Sequence, residues 1–173
     1  SPFKFFIISL LKNISASTSI VSSDLFYINQ FHRFTKGLIK NTSFCQKEIG
    51  SFYSFLIEFR VTRNFEKGKA IDLLDVSRNW INTNNSIDID GFAIELKQKG
   101  LTFNKTMKSL ASKVLFLYDP NQIFPMDNRA KLALGYNNNL YSEYSVLVRD
   151  FQKEYKSYLY NYPYQYQKNL LFY

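Results

Sequence analysis

Apolar residues recur at steps of three and four along most of the chain, and no segment alternates apolar with polar residues long enough for a half-buried strand. Hairpin signals are missing as well. This pattern restricts the fold to packed helices, each burying one stripe. With 173 residues and no internal repeat or linker, the expected architecture is a single compact all-α domain of about seven or eight helices spanning 1–173, with 162–173 reading as an irregular tail.

Taken in order, residues 3–12 read as a short apolar helix and 13–23 as a Ser/Thr-rich loop. Asp24 opens a helix to Lys40 with Leu25, Ile28, Phe31 and Phe34 on one face. Ser43 and Gln46 form a capping box ahead of the stripe Phe44, Ile49, Phe52, Leu56 and Phe59. Arg60, Arg63 and Asn64 break the pattern. It resumes over 66–82 with Ile71, Leu74 and Trp80. Asp90 reads as the cap of a brief helix with Phe92, Ala93 and Leu96 inward, ended by Gly100. The last periodic segment carries Tyr141, Tyr144, Val148, Phe151, Tyr155, Tyr158 and Tyr162, and Pro163 ends it.

The stretch 100–135 holds the most chemistry. Thr102 or Asn104 caps a helix with Met107, Leu110, Ala111, Val114, Leu117 and Tyr118 on its stripe. Pro120 cannot continue that helix. Pro125 stiffens the approach to Asp127, the expected N-cap of a second helix from Asn128 to Leu134, which Gly135 closes. Lys97, Lys99, Lys105, Lys108 and Lys113 lead into this corner, a basic approach to a carboxylate. By periodicity Lys105 and Lys113 point away from the stripe into solvent, while Lys108 flanks it.

Composition narrows the function classes. Cys45 and His32 each stand alone in the sequence, so there is no internal disulfide, no Cys/His zinc set and no cofactor implied by ligand spacing. A lone cysteine fits a reducing, cytoplasmic setting. The net charge of +8 favours nucleic acid as partner, ahead of an anionic membrane surface. Phe5 to Leu11 is too short to span a bilayer. Lys4 before that run resembles a signal-peptide start, but no clear cleavage site follows, so the run reads as a helix on the core. Aromatic richness, which AT-rich coding produces by itself, carries no functional weight.

At LASKVLFLYDPNQIFPMDNRAKLAL, residues 110–134, the chain resembles part of the helix–hairpin–helix DNA glycosylases. In that superfamily a short turn with a proline precedes an aspartate that starts the next helix and serves as the catalytic carboxylate. A lysine near the start of the earlier helix is the nucleophile in bifunctional members. The resemblance implies Asp127 as the carboxylate and Lys108, nineteen residues earlier, as the nucleophile, with Lys113 as its competitor. It further implies DNA, more than RNA, as partner. The target base would be extruded into a pocket walled by Trp80, Phe103, Tyr118 and Phe124. Lys97, Lys99, Lys105, Lys113 and Arg129 would meet phosphates. The family's Gly-rich hairpin is absent, because LTFNKT lacks a second glycine. Beside these roles stand plainer ones: Asp127 as a helix cap, Lys108 as an exposed lysine with its stem on the core, Trp80 and the tyrosine stripe as core, His32 as structural. A non-catalytic nucleic-acid-binding or protein-interaction module, of the kind used in microbial defence, is the alternative.

Overall fold

The computed structural model describes residues 17–46, 50–66, 68–83 and 88–155. Within them the chain is all-α: α1 (Ser17–Thr35), α2 (Asn41–Phe44), α3 (Phe52–Glu58), a 3-10 turn at Thr62–Asn64, α4 (Ala70–Thr83), α5 (Ile89–Gln98), α6 (Lys108–Phe116), α7 (Asn128–Ala133) and α8 (Tyr141–Glu154). The readings made for residues 3–12, for Ile49 and for 156–173 lie outside the described residues. No described helix is long and apolar enough to cross a membrane.

Two layers of the core meet in the middle of the domain. One is aromatic. Tyr27, Phe31 and Phe34 of α1 pack on Phe44, Phe52 and Phe55, with ring centroids 5.5 Å apart for Phe44–Phe52, 5.7 Å for Phe52–Phe55 and 5.6 Å for Tyr27–Phe55. The other is mainly aliphatic and centres on α6, which packs most closely against α5. Every residue of α6 from Leu110 to Leu115 is buried. A helix covered on all sides has no solvent face, and this decides the fate of its one basic residue in that run, Lys113.

Several boundaries differ from the expected ones, each for a local reason. The helix α1 starts at Ser17, inside the stretch read as a loop. Serine and threonine cost a helix only a few tenths of a kcal/mol each, about 0.5, too little to forbid one. Leu25 and Phe26 face outward and Tyr27 takes the inward place. The stripe from Phe44 to Phe59 is not one helix. The helix that carries Phe44 ends there, and Gly50, whose φ of 84° suits glycine, lies just before the next one. The chain restarts at Ser51, whose hydroxyl accepts from Ser54 N–H at 3.1 Å, so Ser51 supplies the cap expected of Ser43. In α4 the buried residues are Ala70, Leu73, Leu74 and Ser77, while Ile71 is exposed. The helix expected from Thr102 or Asn104 begins only at Lys108. Phe103 and Asn104 both take positive φ, 46° and 59°, which no right-handed helix permits.

The cap of α5 is Asp88, which accepts from Gly91 N–H at 2.9 Å, and not Asp90. Asp90 serves another helix instead. Its carboxylate accepts from Tyr141 N–H at 3.1 Å and Ser142 N–H at 3.3 Å, capping α8, whose own cap residue Leu140 offers no side-chain acceptor. Lys108 Nζ lies 2.7 Å from the same carboxylate and also donates to Asn139 C=O. Partial burial opposes ionisation of Asp90. The Lys108 ammonium and the two N–H groups outweigh it and hold the carboxyl below its ordinary value.

A folded-state value below the unfolded one means that this clasp stabilises at pH above the unfolded carboxyl range and is lost as pH falls through the folded value. Asp90→Asn should therefore lower stability by about 2 kcal/mol at pH 7. The difference from wild type should shrink as urea melts are repeated toward pH 2. A constant difference across that range would contradict the clasp.

Candidate functional site

The corner between α6 and α7 is assembled by side chains binding backbone. Asp119 Oδ1 accepts from the N–H groups of Asn121 and Gln122, each at 3.2 Å, and turns the chain back. The next residues are held from outside. Phe124 N–H donates to Tyr141 Oη at 2.8 Å, Met126 N–H donates to Ser112 Oγ at 2.9 Å, and Tyr144 O–H donates to Pro125 C=O at 3.0 Å. Burial pushes the Tyr141 hydroxyl up to about 12 and raises that of Tyr144 too, with the charge of Asp127 adding to the second. Both tyrosines thus stay protonated at neutral pH.

Held in this way, Asp127 caps α7 as its residue type predicts: Oδ1 accepts from Ala130 N–H at 2.9 Å. Its other oxygen is turned away from the helix. Asp127 Oδ2 lies 4.0 Å from Lys113 Nζ, a distance for charge–charge attraction but too long for a direct hydrogen bond.

Lys113 is the correction to the solvated reading. Its side chain is only 9% exposed, because α6 runs through the core. The ammonium donates to Phe59 C=O at 2.9 Å, at the carbonyl end of α3, where a cation is favoured. Burial lowers its pKa below the ordinary 10.5, the Asp127 carboxylate works against that, and the Arg60 guanidinium reinforces it.

The carbonyl end of α3 is itself unusual. Arg60 N–H bonds to Ile57 C=O at 3.0 Å and Val61 N–H to Leu56 C=O at 3.1 Å, the paired bonds of a Schellman turn. The left-handed position of that turn usually belongs to glycine. Here Arg60 occupies it at φ 54°.

These groups surround one cleft of about 860 Å³. Lys113, Arg60, Arg63 and Arg129 supply its positive charge, Asp127 and Glu58 its negative charge, and Phe59, Val61, Met107, Leu110 and Pro125 its apolar walls. A hollow with apolar walls and a few convergent charged groups, one with a displaced pKa, is the usual form of a ligand site.

The other expected site residues are distributed elsewhere. Lys108 does not line the cleft; its ammonium is engaged by Asp90 and Asn139. Arg129 does line it. Lys97, Lys99 and Lys105 are exposed away from it, and Lys99 sits 3.6 Å from Glu95. None of the expected base-pocket aromatics borders the cleft. Trp80 packs on Phe92, centroids 5.6 Å apart, beside a smaller hollow of about 220 Å³. Phe103 is exposed at its left-handed turn. Tyr118 lies against His32, whose Nε2 is 2.8 Å from Tyr118 C=O. Phe124 is half-buried under Arg149. Conversely, Arg60 and Arg63, which in the sequence only break the apolar pattern, line the cleft. Their signal was two arginines three residues apart directly after a helix that ends without glycine.

The fold and the cleft define a class: an all-α domain with a predominantly basic hollow and a buried lysine facing a carboxylate. Comparison with known protein families, with curated proteins and with solved structures finds no match to this chain.

Arg60→Gly should relieve the left-handed strain and raise stability by about 0.5–1 kcal/mol, read as a higher melting temperature. Tyr144→Phe leaves Pro125 C=O without its donor and should cost about 1–2 kcal/mol, measured by chemical denaturation. An unchanged midpoint for Tyr144→Phe would show that the corner does not depend on that bond.

Proposed function

We propose that this protein binds nucleic acid at the basic cleft and acts there as a diverged DNA N-glycosylase-like enzyme, with Asp127 as carboxylate and Lys113 in the place the resemblance gave to Lys108. The observation that carries this is the Lys113–Asp127 pair, 4.0 Å apart on the wall of the cleft. A lysine acts as a nucleophile only as the free amine. Burial and the neighbouring Arg60 guanidinium bias Lys113 toward that form.

The chemistry follows. The Lys113 amine attacks C1′ of an extruded nucleotide and the glycosidic bond breaks. The base leaves with the bonding electrons and takes the proton released by the substituted amine. Asp127 Oδ2, facing the same space, stabilises positive charge on the sugar as the bond opens. With an abasic sugar in its aldehyde form, the same amine yields an imine and water.

A second reading has its own support. The bond from Lys113 to Phe59 C=O at 2.9 Å gives the lysine a structural use, capping α3 in a non-catalytic nucleic-acid-binding or protein-interaction module. Borohydride trapping on an abasic-site oligonucleotide separates the two. The first reading expects wild type to form a covalent adduct, Lys113→Gln to form none, Asp127→Asn to form it at least tenfold more slowly, and Lys108→Gln to keep it. The trapping rate should rise with pH and level off below 10.5, the ordinary lysine value. No adduct from a wild type that binds the oligonucleotide would establish the second reading.

A further inference from the structure

We infer that Arg60, Arg63 and Arg129 form a phosphate-gripping rim on the cleft, and that the ligand it takes is the backbone of a single nucleic-acid strand. This deepens the proposed function and rests on its nucleic-acid half alone, not on Lys113 as nucleophile.

The first support is the gathering of three arginines at one hollow. Elsewhere among the described residues Lys69 pairs with Glu66, Arg78 with Asp75, Lys99 with Glu95 and Lys108 with Asp90, while the other cations, Lys97 and Lys105 among them, are spread singly over the surface. The cleft's own second acid, Glu58, accepts from Tyr27 O–H at 2.7 Å. Arg60, Arg63 and Arg129 border the same hollow, and none of them forms an ion pair with a described residue. Three exposed guanidiniums that line one hollow, none of them paired with its carboxylates, repel one another unless an anion joins them. Their forked N–H geometry matches phosphate oxygens.

The second support is Arg60 itself. It holds the left-handed position of a complete Schellman turn, where glycine sits without strain. Strain of this kind collects where a side chain must be presented. Here it aims a guanidinium at the cleft that contains Asp127 and Lys113.

The third is shape. The positive charge lines a concave space of about 860 Å³. A flexible strand can enter it and bring successive phosphates to its rim. A duplex carries its phosphates on a broad convex surface. A free phosphorylated sugar shares the phosphate chemistry but offers a single anion.

The test is fluorescence anisotropy of a labelled oligothymidylate, with wild type and the Arg→Gln variants at each rim position, over a range of KCl. Three phosphate contacts on a single strand predict a slope of log K against log salt of about −2. Each single variant should reduce its magnitude by about 0.7, and the triple variant should bind at least tenfold more weakly. Arg60→Gly keeps the turn, so it should melt higher than wild type and still bind more weakly, which separates binding from folding. An equal-length duplex should bind at least tenfold more weakly, and ribose 5-phosphate should compete only at far higher concentration. Unaltered affinity of a folded triple variant would overturn the rim. Equal or tighter duplex binding, or ribose 5-phosphate competing at the strand's own concentration, would overturn the single strand as ligand. Adduct formation at Lys113 without arginine-dependent binding would overturn the rim and leave the catalytic reading standing. Arginine-dependent binding without adduct would support the rim and remove the catalytic reading.

Discussion

Moving an ammonium out of water costs several kcal/mol, on the order of 5, unless the protein replaces its lost hydration. The domain meets that cost for Lys113 from two directions. The carbonyl end of α3 offers Phe59 C=O, and the start of α7 offers the second oxygen of Asp127. Both elements are short, and neither would be fixed in place by its own length. Their positions around α6 are therefore tied to the charge that α6 carries into the core. The cleft is the space left where those two helix ends face one another.

The same economy of parts governs the corner that carries Asp127. Its backbone donors and acceptors are met by Ser112 from α6 and by Tyr141 and Tyr144 from α8. Each of these side chains also lies in the packed interior. Polar groups that are buried and satisfied fix one arrangement rather than a family of them. Asp127 is thereby oriented without depending on the stiffness of Pro125 alone.

The helical class, Asp127 as cap, the Gly135 stop and the inward faces of α5 and α8 were legible because they rest on local rules, cap chemistry and three-to-four spacing. What local rules could not show was which helix lies at the centre. Periodicity assigns Lys113 to the far side of a stripe and hence to water, but α6 has neighbours on that side as well. Asp90 was misread for a similar reason: an aspartate before an apolar run reads as that run's own cap, and only tertiary structure brings the start of α8 to it. The aromatics were judged by type. Trp80, Phe103, Tyr118 and Phe124 come to lie in four different surroundings, and the cleft draws its walls from aliphatic residues, Phe59 and proline. Arg60 was legible only as an interruption, because a left-handed arginine leaves no pattern in one sequence.

The Asp90 clasp reaches further than the helix start it caps. Tyr141 is held by its N–H to Asp90, across 51 positions in sequence, and through its hydroxyl it holds Phe124. One residue thus couples a carboxylate on α5 to the loop that carries Asp127. The cleft is wired to a titrating group that it does not touch, so loss of the Asp90 charge in acid would slacken the loop that carries Asp127 from behind.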